Sequence, residues 1–330
     1  MNSPSLYCSF YLDLDDIANE IKHSGARTVG LQFPEGLKRS AFFIAGELEK
    51  RTSVNIIISG NPCYGACDVD MELMRSVDVL FHFGHSELVK GLDNVIYIET
   101  PARTNIKNVL AKAIAELGSG TIGLVTTVQH VHRIDDIKAF IRSKGISYVV
   151  GTGDSRIKYP GQILGCNFSA ADIPCDQYLY IGSGTFHPLG IAIATKRKVL
   201  CADPMTTSIE WVDPDKILRT RCGIIAKCHR ADTYGILIST KIGQNRAALA
   251  QRMAVLAEKY EKKYIMISLD NITPDALMQF KMNAFVNTAC PRIAIDNAGM
   301  FSAPVLTPVE FEIALGHKDW NEYVFDEIRD

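Results

Sequence analysis

The sequence predicts an α/β protein made of three similar parallel-sheet domains arranged around a pseudo-threefold axis, with a cluster site at the centre. Three observations predict it. Short apolar runs of strand length alternate with longer amphipathic segments, the pattern of parallel strands joined by crossover helices. Three segments open alike: VGLQ at 29–32, IGLV at 122–125 and YGIL at 234–237. A second signature recurs in the same order, with DVLFHFGH (78–85) and VIYIETP (95–101) echoed by DQYLYIGS (176–183) and VLCADP (199–204). Two matches in one order indicate duplication, and the expected domains are 1–103, 104–208 and 209–330.

The elements follow in turn. The first unit reads as a strand at 29–33, a helix at 38–51 and a strand at 54–59. A cysteine loop and short helix then lead to strands at 78–84 and 94–99, and Pro101 closes the unit. The second has helices at 108–118 and 134–145 with strands at 122–127 and 146–152. The third has a strand at 234–240, a long helix at 246–263 and strands at 264–269 and 284–289. Ligands of open parallel sheets gather beyond the carboxyl ends of the strands, so three such units can aim their strand ends at one cavity.

Bulk properties narrow the function. The chain has 330 residues, 47% hydrophobic and 22% charged, with a formal net charge of -2. Length favours two or three compact units. No cluster of Lys and Arg offers a nucleic-acid footprint. No apolar run has the length of a membrane span, and no basic-then-apolar leader opens the chain, so a cytoplasmic protein is expected. The nine cysteines are then not a disulfide framework. Cys175 and Cys201 read as small buried residues, and Cys8 says little. Cys222 and Cys228 beside His229 could bind zinc, but packing is the better reading of that spacing.

The stretch NPCYGACDVD (61–70) carries more. Cys63 and Cys67 begin a CxxxCxxC pattern, but Asp70 stands where a third cysteine would complete it. A site shared between domains needs no local third ligand. Each unit offers a cysteine in a loop after a strand: Cys63 in the first, Cys166 in QILGCNF and Cys290 in TACPRIAID. Three thiolates leave one iron of a 4Fe–4S cluster open to a substrate. Zinc held by three thiolates with an open fourth position is the rival.

These segments, NPCYGACDVD, ILGCNF and ACPRIAID together with the early QFPEGL (32–37), resemble the archaeal diphthamide-biosynthesis radical enzymes, the 2-(3-amino-3-carboxypropyl)histidine synthases. The similarity runs over nearly the whole chain in order and spacing. It implies a homodimer of three-domain subunits, each holding a 4Fe–4S cluster on one cysteine per domain, mapped here to Cys63, Cys166 and Cys290, with Cys67 a bystander. It further implies that S-adenosyl-L-methionine, the co-substrate, binds at the open iron and is cleaved between sulfur and the γ-carbon. The resulting 3-amino-3-carboxypropyl group goes to C2 of a histidine imidazole in translation elongation factor 2. An external electron donor is implied, and no side-chain acid or base is assigned.

Strand ends supply the candidate substrate contacts. Gln32, Glu35 and Gly36 follow the first strand, against the alternative of a Pro-Gly turn with Glu35 capping a helix. Gly84 and His85 are repeat-equivalent to Ser183 and Gly184, where small residues permit close backbone approach. His187 stands near a helix start and Gln244 follows the third unit's first strand. Arg292 can bind a carboxylate bidentately or pair with Asp296. His130 and His132 form an HxH pair of the solvent-facing kind. The acidic, aromatic C-terminal segment either packs across a neighbouring domain or docks a partner. A quinolinate-synthase-like enzyme, which resembles this architecture, and a non-enzymatic electron-transfer or scaffold subunit are the alternatives. CYGACD and ACPRIAID favour the diphthamide family over the first, and retention of all three cysteines argues against a degenerate subunit.

Overall fold

The computed structural model describes residues 10–296 and 298–329; Cys8 lies outside them. Three sheets follow one another along the chain. The first contains β1 (Thr28–Gln32), β2 (Asn55–Ile58), β3 (Val79–Phe83) and β4 (Val95–Ile98), in the order β2-β1-β3-β4. The second contains β5 (Ile122–Thr126), β6 (Tyr148–Val149), β7 (Gln177–Ile181), β8 (Val199–Asp203) and β9 (Ser208–Trp211), in the order β6-β5-β7-β8-β9. The third contains β10 (Thr233–Ser239), β11 (Lys263–Leu269), β12 (Ala284–Asn287) and β13 (Val305–Leu306), in the order β11-β10-β12-β13. Every pairing is parallel except β8 with β9. One strand order, second-first-third-fourth, thus recurs three times. The second sheet continues through β9 to Trp211, past the expected boundary at 208.

The repeated glycines have a steric cause. Gly30, Gly123 and Gly235 each lie on the first strand of their sheet, registered against Leu80, Tyr178 and Phe285 on the third. A Cβ at these glycines would lie 2.8, 2.5 and 2.5 Å from those side chains. The large neighbour packs flat over the glycine, so an alanine would displace the central strand pair of its sheet.

Helices flank the sheets, and two of those not expected from the sequence matter most for packing. Leu14–Ser24 buries Leu14, Ile17, Ala18 and Ile21 at helical spacing, with Asp13 as its cap. Asp215–Cys228 carries Arg221, which is fully buried and donates to the Glu310 carboxylate and to the Ala294 and Val305 carbonyls. That helix also explains two cysteines: Cys228 faces the core and Cys222 faces solvent. One core runs continuously between the second and third sheets, from Phe168, Tyr178 and Phe186 to Tyr234, Phe311 and Phe325. The first sheet has a separate core around Leu31, Phe33 and Phe81. No helix among the described residues is long and apolar enough to cross a membrane.

Candidate functional site

The loop after β2 is held from beneath by Gln32, the buried last residue of β1. Its Nε2 donates to the Asp68 carbonyl at 2.7 Å, while its Oε1 accepts from the Asp70 N–H at 3.1 Å and faces His82 Nδ1 at 2.8 Å. Asp70 caps the helix Met71–Ser76 through the Leu73 N–H and accepts from Ser59 Oγ and Asn61 Nδ2. Burial alone would raise its carboxyl pKa, but those hydrogen bonds outweigh burial and hold it below the usual range. Asp70 is therefore a loop staple, which accounts for a carboxylate where a third cysteine would complete the local motif.

The third unit grips this loop from the other side. Lys241 Nζ pairs with Asp68 Oδ1 at 2.6 Å, both buried. The Gly243 N–H donates to the Cys67 carbonyl at 3.2 Å, and Gln244 Nε2 lies 3.3 Å from Cys67 Sγ. A Cβ on Gly243 would sit 2.4 Å from Cys67 Cα, so only glycine lets the two backbones approach this closely.

These contacts turn Cys67, not Cys63, toward the other two units. Cys67, Cys166 and Cys290 line one cavity of about 180 Å³. The thiols sense one another: burial raises the Cys166 pKa most, with Cys67 and Cys290 adding to it, and Cys290 is pushed up to about 12 by burial and then by Cys67. Cys63 does not line that cavity. It is buried, raised to about 12 by burial first and then by Asp68 and Cys67, and His82 and His85 lie beside it. The expectation that Cys63 faces the shared cavity with Cys67 as bystander is reversed. The two lie four residues apart around the Gly65 turn, and the close packing on Gly243 decides which one reaches the centre.

Cys166 sits on a tight turn closed by reciprocal Leu164 and Asn167 backbone hydrogen bonds. The C-terminal segment packs over it: Ile328 N–H donates to the Cys166 carbonyl at 2.7 Å, Phe168 N–H to Glu327, and Asp326 pairs with Arg246. Of the two readings of that segment, packing across a neighbour is the observed one. Cys290 is held by Asn287, whose Nδ2 donates to its carbonyl, just before the helix Pro291–Asp296.

Three arginines stand close enough to lower the thiol pKa values against burial: Arg156 acts on Cys67 and Cys166, Arg246 on Cys166, and Arg292 on Cys290. Arg156 donates through NH2 to the Gly243 carbonyl, while its buried Nε has no hydrogen-bond partner. Sequence reasoning missed Arg156 and Arg246, because an arginine in a polar loop carries no local pattern. Arg292 pairs with Asp296 at 2.7 Å and lies over the Phe186 ring at 4.3 Å, while still lining the cysteine cavity.

A second cavity of about 300 Å³ adjoins the first and shares Thr127, Gln129, His85 and His187 with it. Gly36, Gly84, His85, Ser183 and His187, all expected near substrate, line it. His130 lines it too, buried and with Nδ1 unpartnered, so the solvent-facing expectation fails for His130 while His132 is exposed. Burial pushes His187 and His130 each down to about 4, so both are neutral at pH 7. Gln244 touches Cys67 instead of an open cavity surface. Glu35 is an exposed partner of Lys38, and Gly184 lines neither cavity.

The donor set fits an iron–sulfur group. Three soft thiols from the loops of three sheets line one cavity, and three partly buried to exposed guanidiniums lie near enough to offset the negative charge of thiolates and cluster.

Comparison with known proteins places this geometry. Residues 33–324 match the family described as "Putative diphthamide synthesis protein". The chain is 41% identical over 319 residues to 2-(3-amino-3-carboxypropyl)histidine synthase of Pyrococcus horikoshii, covering 95% of this chain and 92% of the relative. It is 31% identical over 314 residues to subunit 1 of the same synthase from Gallus gallus, covering 92% and 76%. The crystal structure of Dph2 from Pyrococcus horikoshii with a 4Fe–4S cluster superposes with a TM-score of 0.91 at 39% identity, covering 97% of this chain and 95% of that one.

Proposed function

The chain belongs to the diphthamide synthesis family, and from that premise we propose that it transfers the 3-amino-3-carboxypropyl group of S-adenosyl-L-methionine to C2 of a histidine imidazole in translation elongation factor 2. In this reading Cys67, Cys166 and Cys290 hold a 4Fe–4S cluster, one cysteine from each of three domains near 1–103, 104–211 and 212–330. The observation that carries the reading is the convergence of these three thiols on one cavity in a chain so similar to a protein crystallised with such a cluster. When bound, the cluster supplies the electron that breaks the sulfonium's bond to the γ-carbon.

The chain's own residues bind and orient. Arg292 and Arg156 offer guanidiniums to the methionine carboxylate beside the thiols. The adjoining cavity, where Gly36 and Gly84 leave the backbone bare, takes the remainder of the co-substrate. His85, pushed down to about 4 by burial, and His187 stay neutral there and offer no ready proton to quench an intermediate. Positioning is the protein's main contribution, since a carbon radical reacts with whatever group is held nearest.

The subunit is proposed to work as a homodimer in the cytoplasm with an external electron donor. Two edge strands, each in its own sheet, carry exposed apolar side chains, Ile57 and Ile58 on β2 and Ile265 and Met266 on β11, which suit contact with a second copy. The test of the reaction is anaerobic reduction of the cluster-loaded protein with S-adenosylmethionine. Methylthioadenosine is the expected product; 5′-deoxyadenosine, or no cleavage with a full cluster, overturns the reading.

A further inference from the structure

The family reaction uses three cysteines, and Cys63 is left over in a setting of its own. Its Sγ and one nitrogen from each of His82 and His85 all lie within 4.8 Å of one another, and among the described residues this is the one such group of metal-ligating side chains. We propose that Cys63, His82 and His85 form a second metal site, adjoining the three-cysteine centre whose cavity His85 also lines, that takes a single borderline-soft divalent ion of the zinc class.

The backbone brings the two histidines to the same side. His82 is the fourth residue of β3, and Gly84, at φ +84°, bends the chain back so that His85 meets it. A Cβ on Gly84 would lie 2.8 Å from Pro34 Cγ, so this bend needs glycine twice over. His82 Nε2 and His85 Nδ1 are 3.0 Å apart. Two imidazole nitrogens sharing a tetrahedral ion stand about 3.3 Å apart, given metal–nitrogen bonds of about 2.0–2.1 Å.

The tautomer of His82 is already set for a ligand. The Gln32 amide cannot be flipped: its Nε2 donates to the Asp68 carbonyl and its Oε1 accepts from the Asp70 N–H. The same Oε1 faces His82 Nδ1 at 2.8 Å and can only accept. His82 therefore carries its proton on Nδ1 and presents the Nε2 lone pair toward His85. This is the arrangement by which an outer-shell acceptor orients a metal-binding imidazole. Beside the His82 ring, at 5.0 Å between centroids, Tyr97 has a buried hydroxyl that makes no hydrogen bond of normal geometry.

Binding is balanced by simple proton movements. Cys63 loses its thiol proton to solvent, and the proton by which His85 Nδ1 donates to His82 Nε2 in the ion-free chain is given up at Nδ1 and replaced at Nε2, so that Nδ1 can bind. One thiolate, two neutral imidazoles and a water complete a tetrahedral ion. Oxygen-seeking magnesium and calcium are disfavoured by that donor set. The bound ion would fasten the cysteine loop to the end of β3 and so fix Cys67, four residues on.

The proposal goes beyond the family reaction and rests on the reading that Cys67, not Cys63, joins Cys166 and Cys290. The experiment uses the full chain, cluster-loaded under anaerobic conditions, stripped of loose metal and titrated with zinc. Zinc and iron are then counted, and zinc-edge X-ray absorption identifies the ligands. The expected result is about one zinc per chain beside the cluster iron, with one sulfur and two imidazole neighbours. Cys63→Ser should lower zinc about tenfold or more and keep the iron; His85→Asn should do the same should the serine variant fold poorly. Cys67→Ser should lose iron and keep zinc, which separates failure of this site from failure of the three-cysteine reading. Absence of zinc in a fully iron-loaded chain, a zinc with three sulfur neighbours, or zinc retained in both Cys63→Ser and His85→Asn overturns the proposal.

Discussion

Cys63 and Cys67 belong to one short loop, yet they face different parts of the molecule. Cys67 meets Gly243 and Gln244 of the third unit and opens into the cavity shared with Cys166 and Cys290. Cys63 stays within the first unit, against two histidines from the end of β3. Their difference teaches that the partner of a thiol in a loop is chosen by the neighbouring domain that packs on that loop. Cys63 is buried and Cys67 half-buried, and burial is the first cause of a raised pKa in both, so the direction of the shift does not tell them apart.

The largest expected effect would break this contrast if it failed. Cys67→Ala should lose the iron cluster and reduce S-adenosylmethionine cleavage by about 10³-fold or more, because a ligand set of two cannot hold the cluster. Cys63→Ala should retain the iron. Iron analysis and product chromatography on the two variants check both statements, and equal iron loss would abolish the distinction.

Next comes the clamp that aims the loop. Lys241→Met leaves the buried Asp68 carboxylate without its cation, an expected loss of about 3–5 kcal/mol in urea unfolding. Asp68→Asn in the same chain should restore part of that loss, since the uncompensated charge is gone. A smaller effect is expected from Gly243→Ala, whose methyl group would press on the Cys67 backbone and cost about 1–3 kcal/mol. Gly60→Ala, on the Cys63 side of the loop, meets nothing within 4 Å and should change stability by about 0.5 kcal/mol or less.

A comparably small effect concerns another closely spaced pair that splits between interior and surface, His130 and His132. Burial first, and then His132, lowers the folded-state pKa of His130 to about 4, below the usual value near 6.5. A depressed folded pKa means that the unfolded chain binds the proton more readily, so the contribution of neutral His130 is whole above pH 6.5. It is lost as pH falls toward 4, amounting to about 1 kcal/mol by pH 5.5. Urea midpoints measured between pH 7.5 and 5.5 should fall less in His130→Gln than in the parent.

Much of the architecture is legible in the sequence. The glycines at 30, 123 and 235 mark three first strands because a large side chain on the third strand lies over each. Cys166 and Cys290 were also legible as candidates, each in a loop with glycine, proline or asparagine nearby. Arg156, Arg246 and the burial of His130 were not, for each depends on a contact with a distant part of the chain. The helix Asp215–Cys228 was missed because its buried side is built around Arg221, a residue that reads as surface until Glu310 is seen to neutralise it.

By itself the sequence determined the α/β class, the threefold repetition, the family and two of the three converging cysteines. These rest on periodicity, local sterics and motif order, which are written along the chain. Only the tertiary structure decided that Cys67 joins them and that Cys63 faces His82 and His85. That choice follows from how closely Gly243 approaches the loop and from a lysine paired across two units, contacts between residues more than a hundred positions apart that leave no trace in local spacing.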